Sequence, residues 1–337
     1  MYPAEARIHN DFMDEIKNLP PLPDKDYKKR EKVFDRDYKK ILIIAETVCI
    51  AILAVTVILL KKTVKEDEEY ISAQASRVYE YYDEGDAVIL DDITYGDIWL
   101  SPLTDVPRHN LDFNNIVREN GYKHYDVDGV RQTVTGVDVS YHQGNIDWKA
   151  VKNDGVDFAM IRVGYRGYET GSLNIDPKFH EYAKGALDAG LEIGVYFYSQ
   201  AVTVEEAMEE ARMLLDEIEG YRVMYPVVFD WEIVGDESAR TNKVTSQMLN
   251  QCAMAFCNSV AREGYIPMIY SVKRMALMKL DLRKLGGYDF WLAEYRDIPE
   301  YPYKFAIWQY ASDGRVDGIA GDVDLNMSFV DYSKVRR

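Results

Sequence analysis

Cysteine is scarce, with three in 337 residues. Cys49 lies in an apolar run, and Cys252 and Cys257, five apart in a helical pattern, project about 140° apart around a helix and cannot easily be bridged. No disulfide framework is available. All three read as small buried apolar residues, and the fold must rest on hydrophobic burial. Histidine is sparse too: His9, His109, His124, His142 and His180 show no ligand spacing, so neither a metal nor any other cofactor is expected. Positive charge is also in short supply, 40 Lys and Arg against 57 Asp and Glu for a net charge of −17, which speaks against a nucleic-acid role. Residues 1–40 are nearly balanced, with ten basic and nine acidic groups, so the acidity belongs to the rest of the chain.

One long hydrophobic run is present. Ile41 to Leu60 is interrupted only by Glu46, Thr47 and Thr56, is bracketed by Lys39, Lys40, Lys61 and Lys62, and is long enough for a hydrocarbon core of about 30 Å. It is expected to be a single membrane span rather than a cleaved leader, since 40 residues precede it and no small-residue cleavage site follows. Glu46 is expected to snorkel. Eight basic residues lie within 20 positions before the span (Lys25, Lys28, Lys29, Arg30, Lys32, Arg36, Lys39, Lys40) and four after it (Lys61, Lys62, Lys65, Arg77). This asymmetry places the N-terminus in the cytoplasm and everything after the span outside the plasma membrane. In the tail, Leu19-Pro-Pro-Leu-Pro23 favours polyproline II and reads as a stiff linker; no protein partner is identified. Residues 61–133, acidic and rich in tyrosine, read as a stalk, with a helix around Glu66 to Tyr82, an irregular stretch including Ile93 to Leu103, and a turn at Asp126-Val-Asp-Gly-Val130.

From 134 to 332 short apolar runs alternate with helical patterns, the signal for βα units and a parallel sheet. Strands are expected at Gly136–Ser140, Phe158–Val163, Glu192–Ser199, Pro226–Glu232 and Ile266–Ser271, with helices at Ile146–Asn153, Pro177–Ala189, Val204–Ile218 and Ser246–Glu263 and a shorter one after Val272. Gly190 and Gly264 stand where helix C-caps belong, and Asp176-Pro177 reads as an N-cap with proline at the first helical position. Three further strands follow without a helix: Tyr288–Tyr295, Lys304–Ala311 and Asp322–Met327. The fold class is therefore α/β, a TIM-like barrel of five βα units and then three strands, because a flat sheet with so few helices would leave apolar edges exposed.

In such barrels reactive groups gather at the strand ends, and four acids stand there: Asp138, Asp230, Glu232 and Asp324. Strand alternation points Asp230 and Glu232 the same way and Trp231 oppositely. Two carboxyls on one wall suit glycosidic cleavage, which needs a protonated acid at the leaving oxygen and a second group to stabilise positive charge at the sugar. The other reading is an internal salt-bridge network with Arg162. Tyr165, Tyr196, Tyr198, Tyr270, Trp291, Tyr295, Trp308 and Tyr310 lie at or near strand ends, where rings can stack on sugar faces, although some must be core. His142, also near the mouth, is open to either a substrate contact or a loop hydrogen bond.

The blocks Gly136-Val-Asp-Val-Ser-Tyr-His-Gln-Gly-Asn-Ile-Asp-Trp148, Phe158-Ala-Met-Ile-Arg-Val-Gly-Tyr165, Pro226-Val-Val-Phe-Asp-Trp-Glu232, Trp291-Leu-Ala-Glu-Tyr295, Ile307-Trp-Gln-Tyr310 and Asp322-Val-Asp-Leu-Asn326 are colinear over about 200 residues. They resemble the signature blocks of glycoside hydrolase family 25, the lysozyme-type N-acetylmuramidases. The resemblance implies cleavage of the β-1,4 bond between N-acetylmuramic acid and N-acetylglucosamine in peptidoglycan glycan strands. Glu232 matches the family's proton donor, and Asp138, Asp230 and Asp324 match its other active-centre carboxylates. Tyr165, Tyr196, Tyr198, Tyr270, Trp291, Tyr295, Trp308 and Gln309 are the expected substrate contacts. Tyr141-His142 departs from the usual pair after the first strand's serine, which leaves local subsite contacts open. Two alternatives compete: an inactive wall-binding module, and a chitinase-like or endo-glucosaminidase barrel. Topology has its own test. Protease added to intact, wall-stripped cells should remove the barrel, whereas digestion of only residues 1–40 would reverse the assigned orientation.

Overall fold

The structure is a computed structural model that describes residues 56–57, 61–62, 87–92 and 96–335. The chain divides into two units, Met1–Tyr82 and Asp83–Arg337. Of the first, only the four residues 56, 57, 61 and 62 are described, all helical. The expected span at 41–60 and helix at 66–82 therefore fall almost wholly outside the described residues, as does Cys49; among the described residues no helix is long and apolar enough to cross a membrane.

The second unit begins with an antiparallel pair, β1 (Val88–Asp92) and β2 (Gly96–Leu100), so part of the stretch expected to be irregular is strand. A three-stranded meander follows: β3 (Ile116–Glu119), β4 (Tyr122–Val127) and β5 (Val130–Arg131). Its turns are Asn120-Gly121 and Asp128-Gly129, all four residues at positive φ, the tight hairpin geometry whose twist matches the strands. The second is the turn expected from the sequence. The meander is not a free stalk: Tyr122, Lys123, His124 and Tyr125 are buried, and β4 packs against barrel strands. Upstream, the Leu103 amide donates to the Tyr303 hydroxyl at 2.7 Å and the Lys304 amide to the Pro107 carbonyl at 3.1 Å. Over these residues the expected 61–133 stalk is part of the folded unit.

The barrel strands are β6 (Val134–Val139), β7 (Phe158–Arg166), β9 (Glu192–Ser199), β10 (Val223–Trp231), β11 (Pro267–Val272), β12 (Asp289–Ala293), β13 (Ile307–Gly314) and β14 (Val323–Ser328), with a short extra strand, β8 (Leu173–Ile175), on the end of β7. β6 pairs with both β7 and β14, which closes the sheet. Pairing from β6 through β13 is parallel, and β14 runs antiparallel to both neighbours. Helices α1 (Trp148–Asn153), α2 (Phe179–Asp188), α3 (Val204–Glu217), α4 (Ser246–Arg262), α5 (Lys273–Met278) and α6 (Leu282–Leu285) follow the first five barrel strands, and none separates the last three. Five βα units and three strands are what the alternation of patterns predicts.

Local chemistry sets the helix ends. Asp147, Thr203 and Thr245 accept amide hydrogen bonds at the starts of α1, α3 and α4, and Gly190 and Gly264 take positive φ beyond α2 and α4. Asp176 does not serve as the cap of α2, which begins two residues later than expected. Its buried carboxylate closes the turn just before the helix, Oδ1 accepting from the Lys178 amide at 2.9 Å, while Oδ2 accepts from the Arg162 Nε at 2.9 Å and the Tyr141 amide at 3.1 Å. Cys252 and Cys257 are buried on α4, as expected.

Two apolar layers result from strand alternation. Val137, Ala159, Ile161, Phe229 and Trp231 face outward and pack with Phe179 of α2, Leu214 of α3 and Phe256 of α4. Phe158, Met160, Tyr225, Val228, Met268, Trp291 and Ile307 face the interior with Tyr332 from the C-terminal 3-10 turn, and among the described residues none from α1–α6 joins them. The floor is aromatic, with Phe158 stacked on Tyr225 at 4.2 Å between centroids. Gly136 makes room for it, since a Cβ there would lie 2.2 Å from the Phe158 ring. The lower barrel is thus filled, and only the other end is open to chemistry.

Candidate active site

At the end opposite the aromatic floor, β6 brings Asp138 and β10 brings Asp230 and, one residue past the strand, Glu232. Because β14 is reversed, its second residue, Asp324, reaches the same end, directly opposite Asp138 in the ladder. Asp230 is in register with Tyr198 on one side and Tyr270 on the other. All four acids from the sequence are therefore brought together, with Asp138 and Asp230 buried and Asp324 and Glu232 partly exposed at the mouth.

The carboxyls fall into two neighbouring pairs, Asp138 facing Asp324 across the β6–β14 ladder and Asp230 beside Glu232 at the end of β10. Burial holds all four above the ordinary carboxylate range; for Asp138 the charge of Asp324 adds to it, and for Asp230 the charge of Glu232 does. Like charges held together out of water oppose full ionisation, so each pair favours keeping a proton. Asp138 is the most firmly placed. Its Oδ2 accepts from the Gln309 Nε2 at 2.8 Å and the Asn326 Nδ2 at 2.7 Å. Those amides are oriented in turn: the Gln309 Oε1 accepts from the hydroxyls of Tyr270 and Tyr295, both at 2.9 Å, and the Asn326 Oδ1 accepts from the Trp291 Nε1 at 2.8 Å. Asp230 is less satisfied, since its buried Oδ1 has no hydrogen-bond partner in the protein.

Arg162 does not neutralise the strand-end acids by ion pairing. Its guanidinium pairs with Asp176 and lies over the rings of Tyr141 at 5.1 Å and Tyr165 at 5.3 Å. The internal salt-bridge reading of Asp230 and Glu232 thus loses its direct ion pair, and Arg162 eases the charge on Asp230 only through space.

Among the expected substrate contacts, Tyr196, Tyr198, Tyr270 and Tyr295 belong to the mouth, and Tyr165 stands beside Arg162 at its edge. Burial pushes the Tyr198 and Tyr270 hydroxyls up, with the charge of Glu232 adding to the effect. Trp291 is sealed in the interior, where it holds Asn326, and Gln309 orients Asp138. Trp308 is misplaced in the sequence reading. It is fully buried on the outer face, its Nε1 donating to the Glu294 carbonyl at 2.8 Å and its ring under the Lys123 ammonium, because it alternates with inward-facing Gln309. His142 is exposed and lies against Tyr141 with ring centroids 4.0 Å apart. Two site residues had no assigned role. Asn326 shares a strand face with Asp324 by period two, which was a readable signal. Gln200, which donates from Nε2 to the Glu232 carbonyl at 2.9 Å and fixes the end of β10, carries none.

Burying the Asp230–Glu232 pair has a consequence for stability. Both groups have folded-state pKa values raised above their unfolded values, so their contribution is favourable in acid and is lost as pH rises through the raised values. Asp230→Asn should therefore stabilise the protein by roughly 1–3 kcal/mol at neutral pH. The gain should shrink toward about pH 4, where the unfolded carboxyls are also protonated. Urea unfolding across this pH range measures it, and a neutral-pH loss of stability in the variant would contradict the electrostatic picture.

The model of glycosyl hydrolases family 25 matches residues 137–319, more than half of the chain. The autolytic lysozyme of Clostridium acetobutylicum is 26% identical over 192 residues, covering 57% of this chain and 54% of that protein. YegX of Escherichia coli O6:H1, an uncharacterized protein, is 31% identical over 204 residues, covering 58% of this chain and 69% of YegX. The chain thus spans about half the length of the first relative and about two thirds of the second. Among solved structures, the modular autolysin LytC of Streptococcus pneumoniae, also solved in complex with a synthetic peptidoglycan ligand, aligns with a TM-score of 0.53 at 21% identity, covering 73% of this chain and 57% of LytC, a likeness of fold. With the family model matched across the strands that carry Asp138, Asp230 and Glu232, this chain belongs to glycosyl hydrolases family 25.

Proposed function

We propose that the chain hydrolyses the β-1,4 bond between N-acetylmuramic acid and N-acetylglucosamine in peptidoglycan. One observation carries this reading: an acid pair whose burial favours keeping a proton sits in a tyrosine-walled mouth, with Glu232 partly exposed and a buried oxygen of Asp230 lacking a partner. Family membership and the autolytic lysozyme of Clostridium acetobutylicum support the substrate class.

Geometry favours a particular division of labour. Two residues along one strand have Cα atoms about 6.5 Å apart and side chains projecting in parallel, so Asp230 and Glu232 cannot easily flank opposite faces of one sugar ring. They can address adjacent ring positions. When the acetamido N–H of the muramic acid meets the unpartnered Oδ1, it favours the ionised form of Asp230 and leaves the pair's proton on Glu232. Glu232 then protonates the leaving oxygen as the acetamido oxygen attacks the anomeric carbon and the glycosidic bond breaks. Asp230 stabilises the oxazolinium-like intermediate. Water adds at the anomeric carbon, returns a proton to Glu232 and gives net retention. Asp138 and Asp324 hold water or sugar and tune the pair.

Positioned outside the plasma membrane on a single span, as the basic asymmetry around 41–60 suggests, the barrel would work on wall within reach of its tether. Glu232→Gln should fold normally and lose about two or more orders of magnitude in rate on peptidoglycan. The new reducing end should be muramic acid. Near-wild-type activity in the variant would remove Glu232 from its role, a glucosamine reducing end would favour the chitinase-like or endo-glucosaminidase reading, and no product from the wild type would favour a wall-binding module.

A further inference from the structure

We propose that Lys123, which lies on the β3–β4 hairpin outside the family-matched segment, is a positioning residue for the active site, holding the loop after β12 so that Tyr295 keeps Gln309 and Asp138 aligned. Function enters only through the proposed peptidoglycan hydrolysis.

Lys123 is 3% exposed. A buried ammonium is costly unless its donors are met, and no carboxylate lies within hydrogen-bond distance: the Asp297 Oδ1 is 3.9 Å away. The Nζ instead donates to two backbone carbonyls, Arg296 at 2.5 Å and Asp297 at 3.2 Å, while lying 4.7 Å from the Trp308 centroid and 5.2 Å from that of Tyr310. Burial pulls its pKa down to about 8, which shows how far the site departs from ordinary lysine surroundings. An apolar side chain could fill this space, but only a donor can fix both carbonyls.

Those carbonyls belong to the two residues directly after Tyr295. Tyr295 is half exposed, and its hydroxyl is one of the two donors on the Gln309 Oε1. With that oxygen occupied, the amide is oriented with Nε2 toward Asp138. The same loop is held by an Arg118–Asp297 ion pair from the other strand of the hairpin, β3, and on its far side by Lys273 with Glu294 at 3.4 Å and Glu300 at 2.8 Å. Lys123 and Arg118 thus bring an element outside the matched segment to bear on the catalytic network, through one loop.

The test is a double-mutant cycle on the full chain, with Lys123→Met, Tyr295→Phe and both together, scored on peptidoglycan. Lys123→Met should lower kcat about tenfold with KM changed less than about twofold, and should cost less than about twofold once Tyr295 is Phe, because a misplaced aligning group costs rate rather than binding. Lys123→Arg, which keeps donors at this place, should restore most of the rate. Equal losses in both backgrounds, or no loss, overturn the proposal. Should Lys123→Met not fold, Arg118→Ala loosens the same loop from the surface and completes the cycle. Hydrogen exchange at the Arg296 amide, which is bonded to the Glu294 carbonyl at 3.0 Å, reads the clamp without catalysis. Faster exchange in Lys123→Met supports the clamp and unchanged exchange overturns it, even if the wild type proves unable to cut peptidoglycan and the functional reading fails.

Discussion

Mutual repulsion among carboxyl groups held out of water is the constraint around which the open end of the barrel is organised. Four acids project into one mouth with no salt bridge to them among the described residues, and burial and repulsion favour their keeping protons and facing donors. The Asp138–Asp324 pair takes the second course as well as the first: two amides meet one oxygen of Asp138, and two tyrosines and a tryptophan orient those amides. The Asp230–Glu232 pair is left with an unpartnered oxygen. One pair is thus rigid and satisfied and the other is poised, a division that suits an enzyme in which one pair orients and the other transfers a proton.

The fold itself was largely legible. Alternation between period two and period 3.6 marks every barrel strand, and the missing helices after β12 and β13 give the five-and-three arrangement. Period two assigns Asp230 and Glu232 to one face and Trp231 to the other, yet applied to Trp308 and Gln309 it equally removes Trp308 from the mouth, where aromatic identity had put it. Asn120-Gly121 is a strong hairpin signal that outweighs the acidic, tyrosine-rich composition from which a stalk is expected. Composition was a poor guide there: buried Tyr122 and Tyr125 are what attach the meander to the barrel.

Other features could not be read from one sequence. Gln200 clamps the Glu232 carbonyl, and Asp176 serves Arg162 and Tyr141, through contacts between segments 32 and up to 35 positions apart. Lys123 reaches Arg296 across 173 residues. Such contacts depend on where the barrel brings its loops, and no local pattern announces them. They are also where this chain adds to the core fold: the β3–β4 hairpin lies outside the matched segment, yet it braces a loop of the catalytic mouth.

The central claim is that Asp230 and Glu232, side by side on one strand, act on adjacent positions of the same sugar, so that the substrate's own acetamido group supplies the nucleophile. The most direct measurement compares cleavage rates on peptidoglycan whose muramic acid is N-acetylated and on the same material de-N-acetylated at that sugar, with binding followed in parallel. The account predicts that the de-N-acetylated wall still binds but is cut far more slowly. Equal rates on the two walls would contradict it.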